Sequence, residues 1–323
     1  MITRVTRDSI QRDLGWCIVV ADGASPTWVP SAEAPGHWLP IQYCCIGEPV
    51  MLLQKALHRA TNISRSARIL VTVEERYRAQ WEPALWFIRP HHRFVADDSR
   101  VSSLTPASAV LAIAAQSPLS VVTIMPAGCY VANERVLSAA LHYAIGQLHR
   151  FADTVFTLGM DNAENAIDED YLIPGTLDLG PGEAVSGMSR HPSLGAERHI
   201  AHGGAMVASS IYVAYAGVLA SLIIKHAPGL ARRLVRQALF PNGKHVEVHL
   251  SVDLREALPS ALLRSFWWCP LSFPLRALRI SDCGWSGLHT ARAVERALRG
   301  NRIRRPTPRR QDGGTHQVNE RAG

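Results

Sequence analysis

The chain has 323 residues, 47% of them hydrophobic, so it can bury a large core in one or two domains. Its net charge is +7, but much of the excess lies between Arg299 and Arg310, a run without the aromatic side chains that stack on bases. We therefore interpret residues 1–298 as the folded domain and 299–323 as a basic, disordered tail, which argues against a specific nucleic-acid partner. Six scattered cysteines and a polar N-terminus without an apolar segment favour a reduced, cytoplasmic protein.

Strands and helices are predicted to alternate along the chain. The apolar run Trp16–Ala21 ends at Asp22 and Gly23, which is typical of a buried parallel strand that enters a loop. A helix follows over 51–60, with its apolar residues on one face and Lys55 and Arg59 elsewhere. Further strands are predicted at 68–73, 120–125 and 154–158, and further helices at 107–115, 134–149 and 231–239. This rhythm predicts βαβ units in a layered sheet with right-handed crossovers.

One apolar stretch, 203–224, carries no charged residue and is long enough for a membrane helix. It also contains Ser209, Ser210, Tyr212 and Tyr215, and Gly217 can mark a break between a buried strand and a helix. We favour the strand and helix, and therefore expect no membrane association.

The order of these elements, together with seven short strings, resembles the mannose-1-phosphate guanylyltransferase family over residues 15–298. The strings are VVADG (19–23), LPIQY (39–43), LLQKALHRA (52–60), RILVTVEERYRAQWEP (68–83), IMPAGCYV (124–131), TLGM (157–160) and GWSGL (284–288). The resemblance implies a Rossmann-like nucleotide-diphospho-sugar transferase sandwich, an α/β fold with a mixed, mostly parallel sheet. It also implies a sugar nucleotidyltransferase that makes GDP-mannose from GTP and mannose-1-phosphate.

That chemistry brings several negative charges together, so cations and a divalent metal must neutralise them in the transition state. The resemblance leaves a nucleotide-binding remnant of Ala21, Asp22, Gly23 and Gln42. Thr27 stands where the family has an arginine, and Ile41 stands where it has a phosphate-binding lysine. Two cations are therefore missing.

The sugar and metal positions are altered as well. The resemblance leaves a sugar-binding remnant of Asp168, Glu169, Arg190 and Ser209. His191 replaces a lysine and Ala208 replaces the asparagine of a W-N-S motif. Gly128 and Gly287 stand where carboxylates would hold Mg²⁺, so the family's metal ligands are missing and no cofactor is firmly expected.

Three functions are compatible with this pattern. The first is a pseudoenzyme that binds a nucleotide or sugar nucleotide and modulates a partner. That partner is an active paralogue or another copy of this chain in a homo-oligomer. The second is an active nucleotidyltransferase that uses substitute residues. The third is an interaction scaffold whose pocket is closed by Trp28, Ile41 and Tyr43. The lost charges favour the first and third for chemistry.

Overall fold

The computed structural model of the protein describes residues 15–21, 28–30, 38–99, 101–161, 169–176, 180–189, 203–238, 246–250, 274–288 and 290–303. The strands in these ranges are β1 Trp16–Val20, β2 Trp28–Pro30, β3 Trp38–Pro40, β4 Ile69–Glu74, β5 Arg93–Ala96, β6 Val121–Pro126, β7 Tyr130–Val131, β8 Val155–Met160, β9 Tyr171–Pro174, β10 Glu183–Ser189, β11 Met206–Tyr215, β12 Val248–Leu250, β13 Leu275–Ile280 and β14 Trp285–Ser286. The α-helices are α1 Leu52–Thr61, α2 Arg78–Trp81, α3 Thr105–Gln116, α4 Glu134–Gln147, α5 Ala216–His226, α6 Pro228–Ala238 and α7 Ala291–Ile303.

The main sheet has the order β12-β5-β4-β1-β6-β11-β8-β13-β10-β9. From β12 to β6 every neighbouring pair is parallel. In β1, Cys17, Ile18 and Val19 are completely buried, because a parallel strand with helices on both faces has no solvent side. The predicted strands at 16–21, 68–73 and 120–125 are confirmed as β1, β4 and β6.

Helices cover both faces of this sheet. On one face α1 and α4 pack Leu53, Leu57 and Leu141 against Val19 of β1. On the other face α3, α5 and α6 form a layer over the neighbouring Ile18. The central helix of that layer, α3, is buried on all sides from Thr105 to Ile113, which fits its composition of alanine and aliphatic residues.

The other half of the sheet departs from an open sandwich. Here β11 pairs with both β8 and β9, so β11, β8, β13, β10 and β9 form a closed, barrel-like ring. Within the ring β8 and β13 are parallel, and the other pairs are antiparallel. The mixed α/β class is confirmed, whereas the mostly parallel arrangement holds only for the half from β12 to β6.

The apolar stretch 203–224 is divided between β11 and α5, which meet between Tyr215 and Ala216. The predicted break is therefore confirmed, and Gly217 lies in the first turn of α5, where its amide donates to the carbonyl of Pro118 at 2.8 Å. Within the described ranges, the helices are all too short or too polar to cross a membrane.

His92 is a buried imidazole beside the start of β1. It ends the 3-10 turn Pro90–His92, is 4% exposed, and packs edge-on against Trp16 with the ring centroids 5.5 Å apart. Burial, together with the nearby His91 and Arg89, lowers the pKa of His92 from 6.5 to about 4.

We expect a drop from about pH 7.5 to about pH 5 to destabilise the protein by about 1–2 kcal/mol through His92 alone. The unfolded chain takes up a proton on this side chain below its ordinary pKa, while the folded chain does so only near pH 4. The stabilisation is thus complete above the unfolded pKa and is lost as the pH falls towards 4. Urea unfolding at both pH values should show a smaller pH dependence of the unfolding free energy for His92→Asn than for the wild type.

His149→Asn, a change at an exposed histidine, is the control for this prediction. An equal pH dependence of the unfolding free energy in His92→Asn and in the wild type would refute the assignment to His92.

Candidate functional site

The carboxyl ends of β4, β1 and β6 meet at one edge of the sheet. The amide of Ala21 donates to the carbonyl of Thr72 at 2.9 Å, and the amide of Ala127 donates to the carbonyl of Val20 at 2.8 Å. From β1 the chain proceeds to β4 and β5 on one side, and then crosses to β6 on the other. This reversal of strand order is the place where open α/β sheets bind ligands, so it is the candidate site.

Two predicted nucleotide-binding residues meet at this edge. Ala21 follows β1, and its carbonyl accepts hydrogen bonds from the Gln42 amide at 3.3 Å and from the Tyr43 hydroxyl at 2.8 Å. Gln42 and Tyr43 belong to the buried 3-10 turn Ile41–Tyr43. The loop positions Asp22, Gly23 and Thr27 lie outside the described residues, as does the Trp28 side chain.

Ile41 is completely buried at the start of the same turn. It packs in an apolar cluster with Leu52 of α1, Tyr130 of β7 and Leu288. A lysine at this position would have to place its ammonium group among these side chains, at a cost of several kcal/mol. The position to which the resemblance assigns a phosphate-binding lysine is thus part of the core.

The two glycines at the assigned metal positions flank a pair of short strands. Tyr130 of β7 pairs with Ser286 of β14, Gly287 directly follows β14, and Gly128 lies two residues before β7. The amide of Gly287 donates to the carboxylate of Glu169 at 3.3 Å. Glycine supplies no side-chain oxygen, whereas Mg²⁺ requires several oxygens in octahedral geometry, so these positions do not fit the metal. In the described ranges, no group of three or more His, Cys, Asp or Glu is arranged to hold a metal.

The closed ring gathers the described sugar-site residues. Glu169 is buried just before β9, and the next carbonyl, Asp170, accepts a hydrogen bond from the amide of Ala208 in β11 at 2.8 Å. Ser209 is completely buried, and its hydroxyl accepts from the amide of Ile211 at 3.1 Å. The other assigned positions, Asp168, Arg190 and His191, lie outside the described residues.

Sequence reasoning missed a buried cation beside the candidate site. Arg59 was expected off the apolar face of its helix, yet its side chain is only 2% exposed. It donates to both carboxylate oxygens of Glu134, at 2.7 and 2.9 Å, and to the sulfur of Cys129 at 3.5 Å. This bidentate partner, supplied by α4, explains how the guanidinium is accommodated away from water.

The thiol beside Arg59 is not a reactive thiolate. Burial raises the pKa of Cys129, and the opposing effect of Arg59 is too small to reverse that rise. The Cys129 sulfur is also within 3.4 Å of the carbonyl of Pro126, to which the thiol donates. Cys129 therefore fixes the turn that contains Gly128, and it does so as a neutral group.

Comparison with solved structures supports the fold. Mannose-1-phosphate geranyltransferase from Thermus thermophilus matches with a TM-score of 0.70 and 18% identity, covering 88% of this chain and 79% of that one. Mannose-6-phosphate isomerase from Helicobacter pylori matches with a TM-score of 0.58 and 16% identity, covering 84% of this chain and 98% of that one.

The chain shares the fold of the Thermus thermophilus protein. Identities this low establish the fold alone. No family model matches the sequence, and no curated protein matches it.

Removal of either partner of the Arg59–Glu134 pair should have unequal effects on stability. Glu134→Ala leaves a buried guanidinium unpaired and should cost about 3 kcal/mol of unfolding free energy. Arg59→Met removes the buried charge and leaves Glu134, which is 40% exposed, free to contact water, so it should cost about 1–2 kcal/mol. Urea unfolding measures both values.

Arg135→Met, at an exposed neighbour of Glu134, is the control for this pair and should change stability by less than about 0.5 kcal/mol. A larger loss in Arg59→Met than in Glu134→Ala would contradict the described burial.

Proposed function

We propose that this protein is a sugar-nucleotidyltransferase-like pseudoenzyme. It has lost nucleotidyl transfer but binds a nucleotide or sugar nucleotide at the carboxyl edge of β1 and β6. The resemblance to mannose-1-phosphate guanylyltransferases makes GTP and GDP-mannose the first ligands to test.

The observation that carries the proposal is the burial of Ile41. A phosphate-binding residue has to reach the ligand, but Ile41 points into a cluster with Leu52 and Leu288 and is inaccessible to solvent. The loss of one such charge-stabilising group typically costs a factor of about 10² to 10³ in rate. Several losses in one site leave little of the reaction.

Arg59 does not replace the missing charge. Its guanidinium donates through Nε and Nη2 to the Glu134 carboxylate, so the pair has no net charge, and burial keeps it from a ligand on the edge of the sheet. What the site retains for binding is the fold itself, with its reversal of strand order between β1 and β6.

Binding of GTP and GDP-mannose, measured by calorimetry with and without Mg²⁺, tests the proposal. We expect at least one ligand to bind without Mg²⁺. Gln42→Leu should weaken that binding by about tenfold or more, because it removes the hydrogen bond that positions the Ala21 carbonyl after β1. Gln80→Leu on α2 is the matched control and should leave the affinity unchanged.

Each other result points to a different function. Binding that requires Mg²⁺, together with release of pyrophosphate from GTP and mannose-1-phosphate, would identify an active enzyme and overturn the proposal. Absence of binding under both conditions would overturn it in favour of an interaction scaffold. The scaffold alternative has one observation in its support, since Gln42 and Tyr43 already occupy the Ala21 carbonyl.

Restoring the lysine should not restore the reaction. Ile41→Lys places an ammonium group in the apolar cluster and should lower the unfolding free energy by about 3 kcal/mol or more, without measurable pyrophosphate release. Ile41→Val, which keeps the cluster apolar, should cost only about 1 kcal/mol. A stable Ile41→Lys protein with transferase activity would show that this side chain reaches the ligand, contrary to its burial.

A further inference from the structure

The face of the protein formed by α5 and α6 combines exposed basic side chains with an apolar groove. Lys225 near the end of α5, and Arg232 and Arg236 on α6, are exposed. Arg232 and Arg236 are four residues apart, so they lie on the same side of their helix. The sequence contains no Asp or Glu between Glu197 and Glu247, so neither helix supplies an acidic neighbour for these three cations.

The groove lies along the same helix α5. It has a volume of about 670 Å³, and Leu119, Val218 and Leu222 contribute to its walls, with Asp153 as an acidic residue among the lining groups. Leu222 precedes Lys225 by about one helical turn, and α6 follows α5 after Ala227 alone, so the basic side chains begin beside the groove and continue along α6. Leu119 in the groove wall is 80% exposed. A large apolar side chain exposed in the wall of a groove is a mark of an interaction site.

The occupant has to satisfy both the charge and the shape of this surface. Arginine forks pair bidentately with carboxylates and are enriched in protein interfaces, which favours an acidic protein segment. A concave apolar groove accepts a single anchoring side chain, as interface hot spots do, whereas a membrane presents no such projection. Tyr215, the aromatic residue among the groove-lining groups, is half-buried in the groove wall. Its ring therefore does not provide an exposed face on which nucleic-acid bases could stack.

We propose that the α5–α6 surface, defined by Leu119, Leu222, Lys225, Arg232 and Arg236, docks an acidic segment of a partner protein. The segment seats one apolar side chain in the groove and pairs its carboxylates with the three cations. This surface is independent of nucleotide binding, because it lies on other elements than the carboxyl edge of β1 and β6.

Fluorescence anisotropy of labelled peptides tests the proposal on the full chain. The probe is a glutamate-rich peptide with a central Leu-Phe pair, and its control carries serine at both central positions. We expect the Leu-Phe peptide to bind about fivefold or more tightly than the serine peptide. The difference should disappear in Leu119→Ser, a change at an exposed position that should leave the fold intact.

The charge contribution is tested by a triple reversal, Lys225→Glu, Arg232→Glu and Arg236→Glu, which should weaken binding of the Leu-Phe peptide by about tenfold or more at low salt. The matched control reverses three exposed arginines elsewhere: Arg65→Glu, Arg89→Glu and Arg135→Glu. It changes net charge equally and should leave the affinity within about twofold.

Three results would overturn the proposal: no binding of the Leu-Phe peptide, equal loss of affinity in the two triple variants, or equal affinity for the two peptides. Tighter binding of phosphatidylserine vesicles or of a single-stranded oligonucleotide than of the Leu-Phe peptide, through the same three cations, would also overturn it. Calorimetry with GTP on the Lys225/Arg232/Arg236 variant separates this proposal from the first, because nucleotide affinity should not change.

Discussion

The position of β1 between β4 and β6 is the constraint on which the rest of the structure depends. Its central residues are buried on both faces, so the sheet needs a helical layer on each side. The α1 and α4 layer and the α3, α5 and α6 layer meet this requirement. The same placement makes the end of β1 the point where strand order reverses, so the packing of the core and the location of the candidate site have one cause.

The charges around that site are arranged for structure rather than for phosphate chemistry. The Arg59 guanidinium donates hydrogen bonds to Glu134 and Cys129, and Ile41 packs in the apolar cluster with residues of α1, β7 and Leu288. A transferase site needs charges that are free to follow the developing negative charge on a phosphate. Here Arg59 is already neutralised by Glu134. A ligand bound at this edge would therefore gain little from Arg59, and it would depend on the shape of the edge.

The sequence predicted the parallel half of the sheet because local patterns determine it. Runs such as WCIVV and ILVTVE are too short and too apolar for surface helices, and the periodicity of 52–61 gives an amphipathic helix directly. The closed ring was not predictable in this way. It depends on the pairing of β11 with β9 and on an irregularity between Ala208 and Tyr212, where Ser210 has a φ of 59°. A serine carries no strong sequence signal for a left-handed conformation.

The matching strings assigned Ala21 and Gln42 to one site, and the structure places the Gln42 amide in hydrogen-bond contact with the Ala21 carbonyl. That assignment to a nucleotide stays a prediction, whereas the hydrophobic nature of Ile41 already excluded a cation at its position. The burial of Arg59 was missed because its partner Glu134 lies 75 residues later on another helix. A charged residue on a predicted amphipathic helix is expected to face solvent unless a buried partner for it is known. Its position three residues after Ala56 and one before Ala60, both buried, was the available hint.

The two proposed binding regions lie at opposite ends of β6. Pro118 and Leu119, which line the groove, precede Val121 at the start of the strand, whereas Ala127 and Gly128 follow Pro126 at its end. Because β6 is hydrogen-bonded to β1 and β11 on its two sides, it holds the two regions in a fixed arrangement. If a partner at the groove changed nucleotide affinity, linkage requires that nucleotide change partner affinity by the same factor. If nucleotide and partner instead bind without affecting each other, β6 has a single arrangement. The nucleotide site and the docking surface then function separately on one scaffold.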